Sequence, residues 1–318
     1  MNVSIPTNRM SKGVGLDDIL NFCVNGWVNS MNDETHRIEL QGTKLDTPQV
    51  DGLFAAVMAA GASICSEKFL IDLSTHTFVN PAGMTGVALA VRVLRERGWS
   101  PVVLFPTSDQ AAGYLCYMGV DTVLKDMAEC RNADGPKHAG SSDVLLELTK
   151  IEKSADVEGI RREIHDRVTA ILRNQLKYKE KDVQAFAGVI SELAQNIVDH
   201  SAGIGYVAAQ TYRSAQGRFV YLSVADSGIG LRNSLAERFP QAANWEDTEV
   251  IVNAMRPEFS RFANRGLGLT FVRKVCLDFK GTLQIRTGRT RLYLRAAKVH
   301  PFTGDAFPGT QVAISFFQ

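Results

Sequence analysis

The chain has little that would staple it, anchor it or wrap it around a polyanion. Its five cysteines, Cys23, Cys65, Cys116, Cys130 and Cys276, are scattered, odd in number and without a Cys-x-x-Cys pair. That argues against a disulfide framework or a zinc cluster and points to a reducing, cytoplasmic setting. No apolar run is long enough to cross a bilayer. The start Met1-Asn2-Val3-Ser4-Ile5-Pro6 shows no cationic stretch ahead of an apolar one, so no secretory leader is expected. Neither sign of charge dominates, with 35 Lys+Arg against 34 Asp+Glu and a formal net charge of +1. Neither nucleic acid nor a membrane surface is therefore expected as the main partner. Arg286, Arg289, Arg291 and Arg295 do gather on a hairpin expected around Gly288, where alternating arginines predict a solvated face. Internal repeats and low-complexity tracts are lacking too.

At 318 residues with a 45% hydrophobic fraction, the chain has material for two globular domains. The expected break is residues 131–142, where Asn, Asp, Gly, Pro, His and Ser interrupt the apolar pattern. Before it, short apolar strands at 69–73 and 101–105 alternate with helical runs at 84–97 and 109–118, the latter two closed by Gly98 and Gly119. That alternation predicts an α/β sheet with crossover connections. Residues 1–36 hold one helical pattern over 16–28, expected to serve core packing or a homodimer contact.

The chemistry concentrates after the break. In Glu192-Leu193-Ala194-Gln195-Asn196-Ile197-Val198-Asp199-His200 a carboxylate, an amide and an imidazole stand four residues apart. At about 100° per residue they form one polar stripe, beside an apolar stripe of Phe186, Ile190, Leu193 and Ile197. Three glycine-marked stretches follow. Asp226-Ser227-Gly228-Ile229-Gly230 comes just after a strand predicted over 219–224, half-buried by its alternation. A carboxylate there can accept from an exocyclic amine, while Gly228 and Gly230 supply positive φ or close backbone approach. Arg265-Gly266-Leu267-Gly268-Leu269 opens a helical run, leaving free N–H groups suited to phosphate. Pro308-Gly309-Thr310 opens a strand over 311–317.

In order and context, these four stretches resemble the N, G1, G2 and G3 boxes of the GHKL ATPases, the Bergerat fold of gyrase, MutL and histidine kinases. The resemblance covers roughly residues 155–318. It implies that Asp226 binds the adenine amine with support from Thr310, and that Asn196 offers its side-chain oxygen to Mg²⁺. It also implies that Gly266, Gly268 and Leu269 approach the phosphates of ATP and that Glu192 is the general base. The stretch between Gly230 and Gly266 is the expected ATP lid, helical over 246–255, with Arg261 and Arg265 as γ-phosphate partners. His200 either joins the site or only packs beside the lid.

The element order over about residues 37–128 resembles a STAS domain, the fold of anti-sigma factor antagonists. Where such switches carry Asp-Ser-Ser-Gly, this chain has Asn80-Pro81-Ala82-Gly83, so the phosphoaccepting serine is replaced by Ala82. A docking or autoregulatory role is expected for this half. His165-Asp166-Arg167 looks like a histidine-kinase phosphoacceptor box, but it stands too close to Asn196 for an intervening dimerisation module. The chain also ends directly after the Gly309-Thr310 strand, so the transducer of gyrase or MutL is not expected.

The sequence thus predicts a mixed α/β (α+β), two-domain protein. It comprises an N-terminal extension (1–36), a STAS-like sheet with helices (37–130), a linker (131–142) and a Bergerat-fold α/β sandwich (143–318). The expected activity is that of a cytoplasmic Mg·ATP-binding regulator resembling anti-sigma factor serine kinases, with ATPase or serine/threonine kinase chemistry. The alternative is an ATP-gated sensor that docks a protein partner through its STAS-like half.

Overall fold

Alternating strand and helix signals in the first half build the crossover-connected sheet that their order predicts. The computed structural model describes residues 35–60, 68–133, 144–175, 177–214, 217–259 and 268–317. The helix expected at 16–28, Cys23, Cys65, residues 134–142 of the expected linker, and the lid residues Arg261, Arg265 and Gly266 lie outside them. Thr35–Gln318 clusters as one compact unit, and its architecture is mixed α/β.

Six strands belong to the first half: β1 (Thr35–Glu39), β2 (Lys44–Leu45), β3 (Lys68–Asp72), β4 (Phe78–Val79), β5 (Ser100–Leu104) and β6 (Glu129–Arg131). Four of them form a parallel sheet in the order β1-β3-β5-β6, while β2 and β4 make a separate parallel pair. Phe69, Ile71 and Val103 are fully buried, as continuous apolar runs in parallel sheets are. The helices are α1 (Thr47–Ala60), α2 (Pro81–Glu96), α3 (Asp109–Tyr117) and α4 (Val120–Leu124). Asn80 caps α2, its Oδ1 accepting the Gly83 N–H at 3.0 Å with Pro81 in the first turn. Gly98, at φ +85°, follows its end.

The second half is β7 (Val144–Ile151), α5 (Ser154–Glu163), α6 (Glu180–Asn196), β8 (Gly205–Ser214), β9 (Gly217–Asp226), α7 (Gly230–Ala236), α8 (Asp247–Ala254), α9 (Gly268–Asp278), β10 (Thr282–Arg295) and β11 (Lys298–Phe317). Its five strands form an antiparallel sheet, β10-β11-β9-β8-β7. After α5 the chain stays helical through π turns at Ile164–Val168 and Ile171–Gln175. The residues 165–167 lie inside the first of these turns.

Side-chain alternation gives this sheet two different faces. Val207, Leu222, Val224, Val312 and Ile314 share one core with Phe186, Val189 and Ile190 of α6. Tyr206, Ala208 and Ala225 point the other way and share a core with Val50 and Phe54 of α1 and Leu89 of α2. The half-buried reading of β9 holds at Phe219 and Tyr221, which stay partly exposed, and is corrected at Ser223, which is 0% exposed. The first half covers the face at that point. Residues 81–91 of α2 are all buried for the same reason, the helix touching β5 as well as β8 and β9.

The arginine-rich hairpin is corrected in part: Arg289 and Arg295 are exposed as expected, but Arg286 and Arg291 are not. Arg286 is only 3% exposed, and its Nη1 lies 2.8 Å from Asp51 Oδ1, while Arg291 Nε is 2.9 Å from Asp51 Oδ2. Arg286 also lies over the Phe307 ring, 4.6 Å from its centroid. These two arginines fasten β10 to α1 rather than facing water. Nor does the hairpin turn at Gly288, which sits in a bulge at φ +55°. The reversal is Ala296-Ala297, both with positive φ, between Arg295 and Lys298.

Candidate functional site

α6 buries Val183, Phe186, Val189, Ile190, Leu193 and Ala194 on the sheet, which leaves Glu192 and Asn196 half-buried on the adjoining stripe. That stripe meets the first residue of α9. A β-carbon built on Gly268 would fall 2.8 Å from Glu192 Oε1 and 3.3 and 3.4 Å from Asn196 Nδ2 and Oδ1. A side chain here would push aside the ends of Glu192 and Asn196, so the residue stands close to both polar groups. The start of α9, the positive end of its dipole, is thus beside an amide and a carboxylate.

Past Asn196 the helix widens into a π turn, Ile197–Ser201, and ends at Ala202 with φ +53°. Such turns gather at functional sites because the extra residue re-aims side chains. Here His200 and Ser201 both reach the same cavity as Asn196. The Ser201 carbonyl accepts the Ile229 N–H at 2.8 Å. It lies where a side chain on Gly228 would begin, 2.0 Å from an ideal β-carbon. Gly228 thus serves close backbone approach, whereas Gly230 serves positive φ, at +74°.

Asp226 ends β9 rather than following it, in register with Thr310 of β11 and Gly205 of β8. Its carboxylate accepts the Gly228 N–H at 2.9 Å and a backbone N–H from Thr310. Burial pushes its pKa up to about 7, against those two hydrogen bonds, which favour the charged form. A carboxylate offers about four acceptor positions, so a further donor entering the cavity can be accommodated. Gly309, at φ +75°, allows the approach: a β-carbon there would stand 2.6 Å from Asp226 Oδ1 and 2.7 Å from the Gly228 nitrogen.

Asn196, Asp226, Gly230, Gly268, Leu269 and Thr310 line one cavity. Glu192 adjoins it through Gly268, and Gly228 forms the turn beneath Asp226. Leu193, Ile197, Val224, Leu231 and Val312 supply apolar wall, an arrangement suited to a flat ring held by a few convergent polar groups. On the lid side, Arg256 and Phe259 reach the cavity just after α8. Phe259 is braced edge-on by Phe239 and Trp245, with centroids 5.2 and 5.3 Å away.

Sequence reasoning missed Arg256, Phe259, Ser201, Ser234 and Thr270, which line the cavity, and Thr287, which braces it. Thr287 Oγ1 donates to the Gly309 carbonyl at 2.9 Å and accepts the Leu231 N–H at 3.2 Å. Arg256 had a signal, being a cation inside the expected lid, as Arg261 and Arg265 are. Thr287 had none, because its role rests on pairing with β11 and on the start of α7.

The geometry has a counterpart among known families. Residues 181–314, from α6 to the paired part of β11, match the family described as Histidine kinase-, DNA gyrase B-, and HSP90-like ATPase. The chain carries an ATPase domain of the GHKL type over that span. No curated protein matches the chain. A domain of this family implies ATP binding, usually with Mg²⁺, and suggests kinase or ATPase activity. No helix among the described residues is long and apolar enough to cross a membrane.

Proposed function

We propose that the chain is a cytoplasmic regulator that binds Mg·ATP in the cavity between α6, α7, α9 and the β9–β11 pair and transfers its γ-phosphoryl group. The acceptor is water or a partner's serine or threonine, in the manner of anti-sigma factor kinases. The observation that carries this reading is the contact of Gly268 with both Glu192 and Asn196, at a cavity that also holds Asp226.

In this reading Asp226 accepts a hydrogen bond from the adenine amine, and the N–H of Thr310 holds its carboxylate in place. The resemblance to this family gives Asn196 the metal-facing role, and its side-chain oxygen is a hard donor of the kind that suits Mg²⁺. With one protein oxygen offered, the ion would be held mainly by the nucleotide. When bound, Mg²⁺ neutralises charge on the β- and γ-phosphates. Glu192 takes the proton of the attacking hydroxyl, whose oxygen bonds to the γ-phosphorus as the bond to ADP breaks. Arg256 stands on the lid side for the oxygens of the transferred group.

The first half is read as a STAS-like domain in an autoregulatory role. An ATP-gated sensor is the second reading, and one observation favours it. Ala82 lacks a hydroxyl and is 0% exposed, and Thr85 one turn on is also 0% exposed. The helix start that would carry a phosphoacceptor is thus sealed from the γ-phosphate.

Incubation with Mg²⁺ and ATP labelled on the γ-phosphate separates the readings. Label released as phosphate or moved to protein, and lost in Glu192→Gln, is the expected result. Label that stays on bound ATP would replace it with the sensor, and tight Mg-dependent binding by Asn196→Ala would sink the assignment of that residue.

A further inference from the structure

The cavity and the first half of the chain meet the same strands from opposite sides. On β11, Thr310 and Val312 line the cavity, and Gln311 between them points to the other face, 1% exposed. There its Nε2 donates to the Ala82 carbonyl at 3.1 Å and to Thr85 Oγ1 at 3.3 Å. On β9, Val224 and Asp226 line the cavity, while Ser223 Oγ lies 2.9 Å from Thr85 Oγ1. On β10, Thr287 braces Gly309 and Leu231, while its neighbour Arg286 pairs with Asp51 of α1.

The hydrogens can be assigned from the acceptors. The Ala82 carbonyl can only accept, so the Gln311 amide must present its nitrogen there. Thr85 Oγ1 lies 3.2 Å from the same carbonyl and donates its single proton to it. Its oxygen is then left to accept from Ser223 and Gln311. In exchange, Gln311 Oε1 is buried with no hydrogen-bond partner among the described residues. Leaving a buried acceptor unmade costs about 1–3 kcal/mol. A residue placed only to fill space would avoid that cost, so the Gln311 N–H groups have a use here.

We propose that Thr85, Gln311 and Ser223 are positioning residues for the nucleotide pocket: a buried clasp by which α2 fixes the two strands that present Asp226, Thr310 and Val312. The proposal rests on reading the cavity as the ATP site. Successive residues on a strand are about 3.3 Å apart along one stiff backbone. A displacement of Gln311 or Ser223 toward or away from α2 therefore carries Thr310 and Val224 with it. By the same backbone, a nucleotide that tightens on Asp226 tightens the clasp, so binding and α2 docking favour each other reciprocally.

The test uses the full chain in four forms: unaltered, Thr85→Val, Gln311→Met and Thr85→Ser. ATP affinity is measured by titration calorimetry, and hydrogen exchange of the amides at 83–86 with and without Mg·ATP. The expected result is a loss of affinity of about five- to tenfold in Thr85→Val and Gln311→Met, the low end of site-to-site coupling. Thr85→Ser, which keeps the hydroxyl, should restore affinity to within twofold. In the unaltered chain ATP should slow exchange at 83–86, and in Gln311→Met it should not. Should Thr85→Val fail to fold, Gln311→Met decides alone, since methionine matches glutamine in length and removes the orphaned oxygen. Affinities in the variants within twofold of the unaltered chain, whatever their melting temperatures, would overturn the clasp and leave the ATP site standing. Failure of the unaltered chain to bind ATP would overturn both.

Discussion

Gly268 and Glu192 are packed so closely that the space for a methyl group between them is already taken. An ideal β-carbon on Gly268 falls 2.8 Å from Glu192 Oε1. The atoms in the way are the far ends of two flexible side chains, Glu192 and Asn196, rather than backbone. Alanine also suits a helix better than glycine by about 1 kcal/mol. Gly268→Ala should therefore fold at least as well as the unaltered chain and still lose γ-phosphoryl transfer by about a hundredfold, the scale of a misplaced catalytic group. Paired thermal melts and turnover assays check this. Unchanged turnover would mean that neither Glu192 nor Asn196 needs its present position.

Asp226 should make nucleotide binding pH-dependent. Burial moves its pKa from 3.8 in the unfolded chain to about 7 in the folded one. Between those values the folded state holds a proton that the unfolded state has lost. Stability from this group is therefore greatest below about pH 4 and falls as pH rises to about 7. An adenine amine donating to the carboxylate favours its charged form, so binding expels the proton and affinity rises with pH up to about 7. Calorimetry at pH 6.5 in two buffers of different ionisation heat should give different binding heats. That difference should shrink in Asp226→Asn, and an equal difference in both proteins would assign the proton to another group.

Asp51 holds two cations, one of them deep. Arg286 Nη1 and Arg291 Nε lie 2.8 and 2.9 Å from its two oxygens, and burial lowers the Arg286 pKa to about 10. Removing the carboxylate leaves a buried guanidinium without its counter-charge, a change that costs about 3–5 kcal/mol for fully buried pairs. Asp51 is 30% exposed, so about 2–3 kcal/mol is expected for Asp51→Ala, read by urea denaturation. The double variant Asp51→Leu with Arg286→Met should recover most of the loss. No recovery would place the cost in Arg291 or in α1 itself.

Much of the site was legible in the chain because its determinants are local. The Glu192 and Asn196 stripe follows from helical periodicity, and the apolar residues beside it are those found on the sheet. Asp226 was recognisable from an alternating strand that stops at a glycine-rich turn, and Gly228 and Gly230 from what a turn demands of its backbone, whereas Gly309, expected to open a strand, lies inside β11. All of these are relations within a few residues, which hydrogen-bond geometry and sterics settle almost independently of the rest of the molecule.

What only the tertiary structure decided is what covers each surface. Residues 219–224 alternate as a half-exposed strand would, yet Ser223 on the outer set is fully buried, because it meets Thr85 from the other half of the chain. Arg286 and Arg291 carry the signature of a solvated edge, yet they converge on Asp51, more than two hundred residues away in sequence. Local pattern records which side chains share a face but not whether water or another element lies against it. That choice is made by the free energy of burying distant surfaces together, and polar groups such as Gln311, Ser223 and Arg286 reveal it only once their partners are in place.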